Sequence, residues 1–262
     1  MQKESVSAYI RHRLSVQSKY SLHSPFIYTF WAEVLKNHKH YPAYEIVENI
    51  RKELLKDDRI IHKVDFGTGQ SGRPQDGVTI KVSKIARNSL VSAGKGKFLY
   101  KLVKHYKPSC ILELGTSLGM SSLYMAEAAP GARIITIEGC PETSAIARLN
   151  IEKAGKNNIS VITGSFDAKL QEALQLMPKP DLVFVDGNHR KEPTVKYFEE
   201  CLPHLHAGSI VIMDDIHWSA GMEEAWKLII AKPEVKVSVD LYHMGVIYFR
   251  EELSKEDFVL RF

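Results

Sequence analysis

The sequence predicts an α/β protein: a doubly wound, mostly parallel sheet of seven strands with a terminal antiparallel hairpin, plus a helical N-terminal cap. Three observations carry this. From Cys110 onward, short apolar runs at 111–114, 134–138, 159–163, 182–186 and 210–214 alternate with helical stretches at 121–129, 142–154, 168–176, 194–202 and 222–230. Strands that are apolar along their whole length belong to a parallel sheet covered on both faces. The ending differs, because 235–241 and 246–250 read as strands with only a short turn between them. So short a connection permits only an antiparallel pair. Before Cys110 the apolar residues instead recur at helical spacing. The organisation expected is a cap over 1–95, including a Gly-rich loop, and a Rossmann-like domain over 96–262.

In the cap, Tyr9, Ile10 and Leu14 mark one helix, and Phe26, Ile27, Phe30, Trp31, Val34 and Leu35 a second. Ser24-Pro25 starts the second, with serine as cap and proline in the first turn. A third follows Pro42, with Ile46, Val47, Ile50, Leu54 and Leu55 along one stripe. His12, His23, His38 and His40 take structural or surface roles. Residues 66–74 read Phe-Gly-Thr-Gly-Gln-Ser-Gly-Arg-Pro. A phosphate-binding nest or a lid is one reading. The absence of a following Lys-Ser/Thr pair favours a plain connector. Helices are expected over 82–90 and 97–106, with Lys95-Gly96-Lys97 breaking them apart and Pro108 ending the second.

Hydrophobic content of 44% and charged content of 25% are ordinary for a globular chain of 262 residues. The apolar runs are too short to span a bilayer, and Met1-Gln2-Lys3-Glu4 opens no signal-like core. A cytoplasmic protein is therefore expected. Three dispersed cysteines, Cys110, Cys140 and Cys201, form neither a disulfide frame nor a zinc pattern. The net charge of +4 is unevenly spread. Residues 1–110 carry 20 Lys/Arg against 9 Asp/Glu, and residues 111–262 carry 15 against 22. A basic front end suits an acidic substrate or nucleic acid, or is a set of solvated helix faces.

The stretch Glu113-Leu114-Gly115-Thr116-Ser117-Leu118-Gly119-Met120-Ser121 joins the first strand of the alternating region to a helix. Gly115 and Gly119 let the backbone approach a ligand. The helix start offers unpaired N–H groups. Three readings compete. A dinucleotide fingerprint would want glycine where Ser117 stands. The letters also spell G-x-S-x-G, a hydrolase elbow with Ser117 as nucleophile and Asp186 and His217 following in order. That elbow needs strands and an oxyanion loop upstream, where this chain reads as helical. The third reading is a nucleoside joined to an amino acid, its ammonium paired with Glu113. Glu138 ends the next strand about 20 residues on, the place from which a carboxylate grips ribose hydroxyls.

This loop resembles that of class I S-adenosylmethionine-dependent methyltransferases in the E-x-G-x-S-x-G form, found in the catechol-type and macrolide sugar-type O-methyltransferases. The resemblance covers roughly residues 96–250, and the closing hairpin is the mark of that fold variant. It implies S-adenosylmethionine as cofactor, held by Glu113, Gly115, Thr116, Ser117, Gly119, Ser121, Glu138, Gly139 and Asp186. It also implies that Ser165 and Phe166 border the adenine.

Asp186 ends the fourth strand of the alternating region, and Asp214 and Asp215 end the fifth. Adjacent strand ends bring the three carboxylates together, where each raises the others' pKa unless a cation intervenes. Mg²⁺ suits such oxygen ligands and would polarise an acceptor hydroxyl. The metal-dependent relatives hold their cation at these places. Against this stands a reading in which Asp215 only caps the next helix and Asp186 bonds only to cofactor or backbone. Sugar-type relatives carry a second Asp where this chain has Asn188, so His189 or His217 is expected as base, beside Asp186. Lys191 lies close in sequence to the catechol-type lysine but at another offset. The function expected is Mg²⁺-assisted O-methylation of a small-molecule hydroxyl. The alternatives are a tRNA wobble-hydroxyuridine methyltransferase, an inactive cofactor-binding protein and, remotely, a serine hydrolase. Expected partners are a small hydroxylated acceptor, nucleic acid through the basic front end, and a second copy of the chain.

Overall fold

The computed structural model describes residues 6–18, 22–65, 75–177 and 179–262. The cap helices are α1 (Val6–Ser15), α2 (Pro25–Phe30, continuing as a π-helical turn Trp31–Leu35) and α3 (Ala43–Leu54). Ser24 caps α2, its hydroxyl accepting from the Ile27 amide at 3.4 Å. A hairpin of β1 (Ile60–Asp65) and β2 (Gln75–Lys81) follows, then α4 (Val82–Asn88) and α5 (Ala93–Tyr106). The Gly-rich stretch 66–74 lies outside the described residues.

The remainder alternates: β3 (Cys110–Leu114), α6 (Met120–Ala128), β4 (Arg133–Glu138), α7 (Pro141–Lys153), β5 (Ile159–Thr163), α8 (Phe166–Leu176), β6 (Leu182–Val185), α9 (Lys191–Cys201), β7 (Ile210–Asp214), α10 (Ala220–Ile230), β8 (Val237–Asp240), β9 (Met244–Tyr248) and β10 (Glu256–Val259). These strands form one sheet in the order β10-β8-β9-β7-β6-β3-β4-β5. Only β9 runs against the rest, inserted between β7 and β8. The expected closing hairpin is thus present, and the sheet gains an eighth, edge strand, β10. Its residues Glu256-Asp257-Phe258-Val259 bury fully only Phe258, so no apolar run announces it. A polar edge of this kind also blocks pairing with other chains.

Strand alternation sends side chains to two cores. Ile111, Ile134, Phe184 and Ile212 face one cluster, shared with Phe98 and Leu102 of α5 and Leu123 of α6. Leu112, Ile135, Val183 and Val211 face the other, with Leu174, Phe198 and Trp226 of α8, α9 and α10. The cap does not stand apart. Ile27, Phe30, Val47 and Ile50 belong to the first cluster, and Gln17 hydrogen-bonds Val259 on the sheet edge at 2.8 Å. The expected boundary between residues 95 and 96 falls inside α5.

The sequence places a helix break at Lys95-Gly96-Lys97, yet α5 runs through it. Gly96 is there for packing. A Cβ on it would stand 2.3 Å from the Tyr124 ring of α6, so only glycine lets the two helices close to this distance. Among the described residues no helix is long and apolar enough to cross a membrane.

Candidate active site

The chain order of the sheet reverses between β3 and β6, and the crevice opens at their carboxyl ends, as in other doubly wound sheets. A cleft of about 620 Å³ lies there. Three non-glycine residues lining it hold left-handed backbone: Ser117 (φ 47), Asn188 (φ 52) and Asp215 (φ 54). Such conformations cost about 1–3 kcal/mol each and persist where the surroundings enforce them, commonly at ligand sites.

At one end of the cleft is the β3–α6 loop. Gly115 (φ 109) passes so close to β6 that a Cβ would meet the Asp186 carbonyl oxygen at 1.9 Å. Glu138 organises the turn from the end of β4. Its two carboxylate oxygens accept from the Ser117 amide at 2.8 Å and the Cys140 amide at 3.0 Å. Asn150 of α7 ties down the far side by donating to the Leu118 carbonyl at 2.8 Å. Ser165 stands at the N-cap of α8, and Phe166, its first residue, presses its ring edge on Gly187 and meets Tyr197 edge-on at 5.5 Å.

Of the residues the sequence assigns to the cofactor, Gly115, Ser117, Glu138, Gly139, Ser165, Phe166 and Asp186 line the cleft. Glu113, Thr116, Gly119 and Ser121 lie behind it. Glu113 is fully buried on the α6 side of β3, where Ser122 donates to one oxygen and the other has no partner. Burial pushes its carboxyl up against the serine and threonine hydrogen bonds that hold it down. Strand alternation sends Glu113 with Ile111 onto the α6 face. Thr116 bonds Thr136 at 2.6 Å and so secures the loop from below.

The other end of the cleft carries the charge. Lys95, from the first turn of α5, reaches between the ends of β6 and β7. Its Nζ donates to Asp214 Oδ2 at 2.8 Å and Asp215 Oδ1 at 2.7 Å. Asp214 Oδ1 is also 2.7 Å away but makes no aligned hydrogen bond, so that contact is one of charge alone. Asp186 and Asp214 stand close enough for each to act on the other's charge. Burial, opposed by Lys95 and aided by Asp215, pushes the Asp186 carboxyl up to about 7. Solvent reaches 21% of that side chain. Asp214, almost wholly enclosed, is raised by burial and by Asp186. Burial alone would lower Lys95, but Asp214 and Asp215 outweigh it and hold the ammonium charged above its usual range.

The sequence reading sets a divalent cation among Asp186, Asp214 and Asp215. An ammonium stands there instead, and no group of three His, Cys, Asp or Glu among the described residues is arranged to take a metal. A divalent ion needs several oxygens turned toward one point. Here those of Asp214 and Asp215 turn toward Lys95. The donor set does not fit the metal as it stands.

The two expected histidine bases separate. His189 lines the cleft, with Nε2 3.9 Å from Asp186 Oδ1 and its ring 6.3 Å from Trp218. His217 lies outside the lining, its two ring nitrogens 3.1 Å from Glu223 and 2.8 Å from Asp240. With both nitrogens bonded to carboxylates it is structural, which also ends the Ser117–Asp186–His217 triad. Asn188 is structural too: its amide donates to Tyr197 at 3.1 Å and accepts from Arg190 at 2.8 Å. Lys191 turns outward to Glu224. Sequence reasoning missed Lys95, Trp218 and the wall formed by Lys63, Val64 and residues 88–92. The only signal for Lys95 was a glycine beside it inside a helix-compatible stretch.

Comparison with known proteins agrees with this geometry. Residues 112–216 match the family model described as a methyltransferase domain. A catechol O-methyltransferase of Niastella koreensis is 34% identical over 143 residues, half of this chain and 64% of that protein. One from Mycobacterium tuberculosis is 31% identical over 139 residues, again half of this chain and 59% of that one. The matches span less than two thirds of either relative. Among solved structures, a Bacillus cereus O-methyltransferase in complex with SAH superposes with a TM-score of 0.56 at 22% identity, covering 85% of this chain and 97% of that one. An SAH-bound Podospora anserina methyltransferase gives 0.60 at 18% identity, covering 90% and 100%. At such identities these two speak for the fold. Fold and cleft together resemble those of the class I S-adenosylmethionine-dependent methyltransferases. Within that class, the chain's sequence relatives are O-methyltransferases.

Proposed function

We propose that this protein transfers a methyl group from S-adenosylmethionine to a hydroxyl of a small molecule. The carrying observation is one continuous cleft with Gly115, Glu138 and Phe166 at one end and Lys95, Asp186, His189 and Trp218 at the other. The first end suits the cofactor: a glycine where any Cβ would strike Asp186, an acidic group at the ribose position, an aromatic wall for adenine. The second end suits the acceptor.

Methyl transfer is an in-line displacement, so the enzyme must align the acceptor oxygen with the sulfonium methyl and take up a proton. An oxygen lone pair forms the new C–O bond while the C–S pair returns to sulfur, leaving a neutral thioether. The hydroxyl proton passes to the His189–Asp186 pair, whose Nε2 and Oδ1 lie 3.9 Å apart in the cleft. The Lys95 ammonium favours the developing oxyanion by charge. Trp218 and residues 88–92 exclude water from the acceptor end. The Mg²⁺ that the resemblance implies has no step here, since the oxygens that would bind it hold Lys95.

Calorimetry with SAH, followed by incubation with methyl-labelled cofactor and a cell extract, tests the reading. Label in a small-molecule fraction, at an alkali-stable ether, is expected. Label in RNA would transfer the acceptor to the wobble-uridine class. Absence of any heat with cofactor or product would remove the methyltransferase reading altogether.

A further inference from the structure

Lys95 is placed with more care than a surface lysine needs. Ser92 caps α5 by accepting the Lys95 amide at 3.2 Å, which fixes its backbone at the helix start. Gly96 next to it carries the close contact with Tyr124, which draws this turn of α5 against α6. The side chain is 15% exposed and spans from α5 to the end of β7. Asp215, one of its two partners, holds a left-handed backbone (φ 54), and its amide bonds the His243 carbonyl at 2.7 Å. Strain on one side and a glycine contact on the other serve the same ion pair.

From this placement we infer that Lys95 is the resident cation of the acceptor end, standing where a divalent metal would stand, so that the protein binds no metal there and transfers methyl groups without one. The inference rests on the methyltransferase reading for its second half only. An ammonium has three N–H groups; Asp214 and Asp215 take two. The third is left for a ligand in the cleft, which Lys95 lines. A lysine does part of what a metal does: it neutralises the strand-end carboxylates and offers positive charge to an acceptor oxygen. It does not chelate, so a single hydroxyl suffices and a vicinal pair gains nothing from the site. The acceptor class therefore takes in mono-hydroxylated compounds bound beside Trp218.

The test is Mn²⁺ binding followed by electron paramagnetic resonance, with SAH calorimetry on the same samples. Wild-type protein is expected to leave the free Mn²⁺ signal unchanged. Lys95→Ala and the better space-filling Lys95→Met expose three carboxylates without a cation, and one Mn²⁺ per chain should bind at least about tenfold more tightly than to wild type. Adding Asp214→Asn should remove it again. Lys95→Arg keeps the charge and should exclude the ion as wild type does. Wild-type binding of Mn²⁺ that disappears in Asp214→Asn would overturn the inference. So would a folded Lys95→Met that gains no affinity. SAH heat separates the two levels: its absence in every sample would end the methyltransferase reading, while the Mn²⁺ series still decides what occupies the carboxylates.

Discussion

Gly115 and Asp186 touch through the backbone: the place a Gly115 Cβ would occupy is 1.9 Å from the Asp186 carbonyl oxygen. The Asp186 amide also donates to Leu114 at 2.8 Å. The β3–α6 loop and the end of β6 are therefore one rigid joint. Gly115→Ala must part them while also forcing a side chain into φ 109. Overpacking alone costs about 1–3 kcal/mol. The urea midpoint should fall accordingly and SAH binding should be lost. A variant that keeps both would show that this joint does not shape the cofactor end.

Glu138 holds the Ser117 and Cys140 amides with its two oxygens and lines the cleft, and in the proposed reading it also faces the cofactor ribose. Glu138→Gln retains one acceptor oxygen and turns an NH₂ toward the second amide. Hydrogen bonds to a charged group are worth about 1.5–3 kcal/mol, so SAH affinity should weaken roughly tenfold to hundredfold. An unchanged dissociation constant by calorimetry would remove Glu138 from the cofactor site.

Much of this was readable in the chain, and the misses have physical causes. The strands of the alternating region are apolar on both faces, so they announce themselves, as do the carboxylates that end them. Glu138 was legible as a residue of the cleft because strand-end position places it there. The face Glu113 takes was not, because a single residue's face depends on where α6 packs. Lys95 was invisible for a deeper reason. Its partners lie 119 and 120 residues away, and only the approach of α5 to α6 brings it over the carboxylates. The β1–β2 hairpin escaped as well, because its strands are largely polar, carry no long apolar run and expose Ile60 and Val78.

That approach can be tested at Gly96. Alanine is the better helix former by about 1 kcal/mol, so a helix free of packing constraints would gain from Gly96→Ala. The Tyr124 ring, 2.3 Å from the added Cβ, opposes this. Overpacking of about 1–3 kcal/mol should win. The urea midpoint is expected to drop, and Lys95 to lose its grip, so that Mn²⁺ begins to bind. A raised midpoint would mean that α5 and α6 have slack between them.

The outer side of the sheet holds a second charged group, whose pH dependence follows from its wiring. His217 sits between Glu223 of α10 and Asp240 of β8, stacks on Tyr242 at 5.2 Å, and faces His12 of α1, which lies 3.2 Å from Asp240. Burial disfavours the imidazolium, but the hydrogen bonds and charge of Asp240 and Glu223 prevail and raise His217 above its ordinary range. Burial likewise works against the Asp240 carboxylate, and the bonds from His12 and His217 overcome it and lower Asp240 strongly. A raised histidine stabilises the fold fully below its unfolded pKa, about 6.5, and loses that contribution as pH climbs through the native value. A lowered aspartate contributes above its unfolded pKa, about 3.9, and loses it as pH falls toward the native value. Both act together only between those limits. Urea midpoints should therefore peak near pH 5–6 and decline toward pH 8.5 as His217 gives up its proton. Asp240→Asn should flatten both limbs while leaving SAH binding intact, because this cluster lies outside the cleft lining. A wild-type profile that keeps rising from pH 6 to 8.5 would show that His217 is neutral in the fold and that Asp240 binds α1 by hydrogen bonds alone.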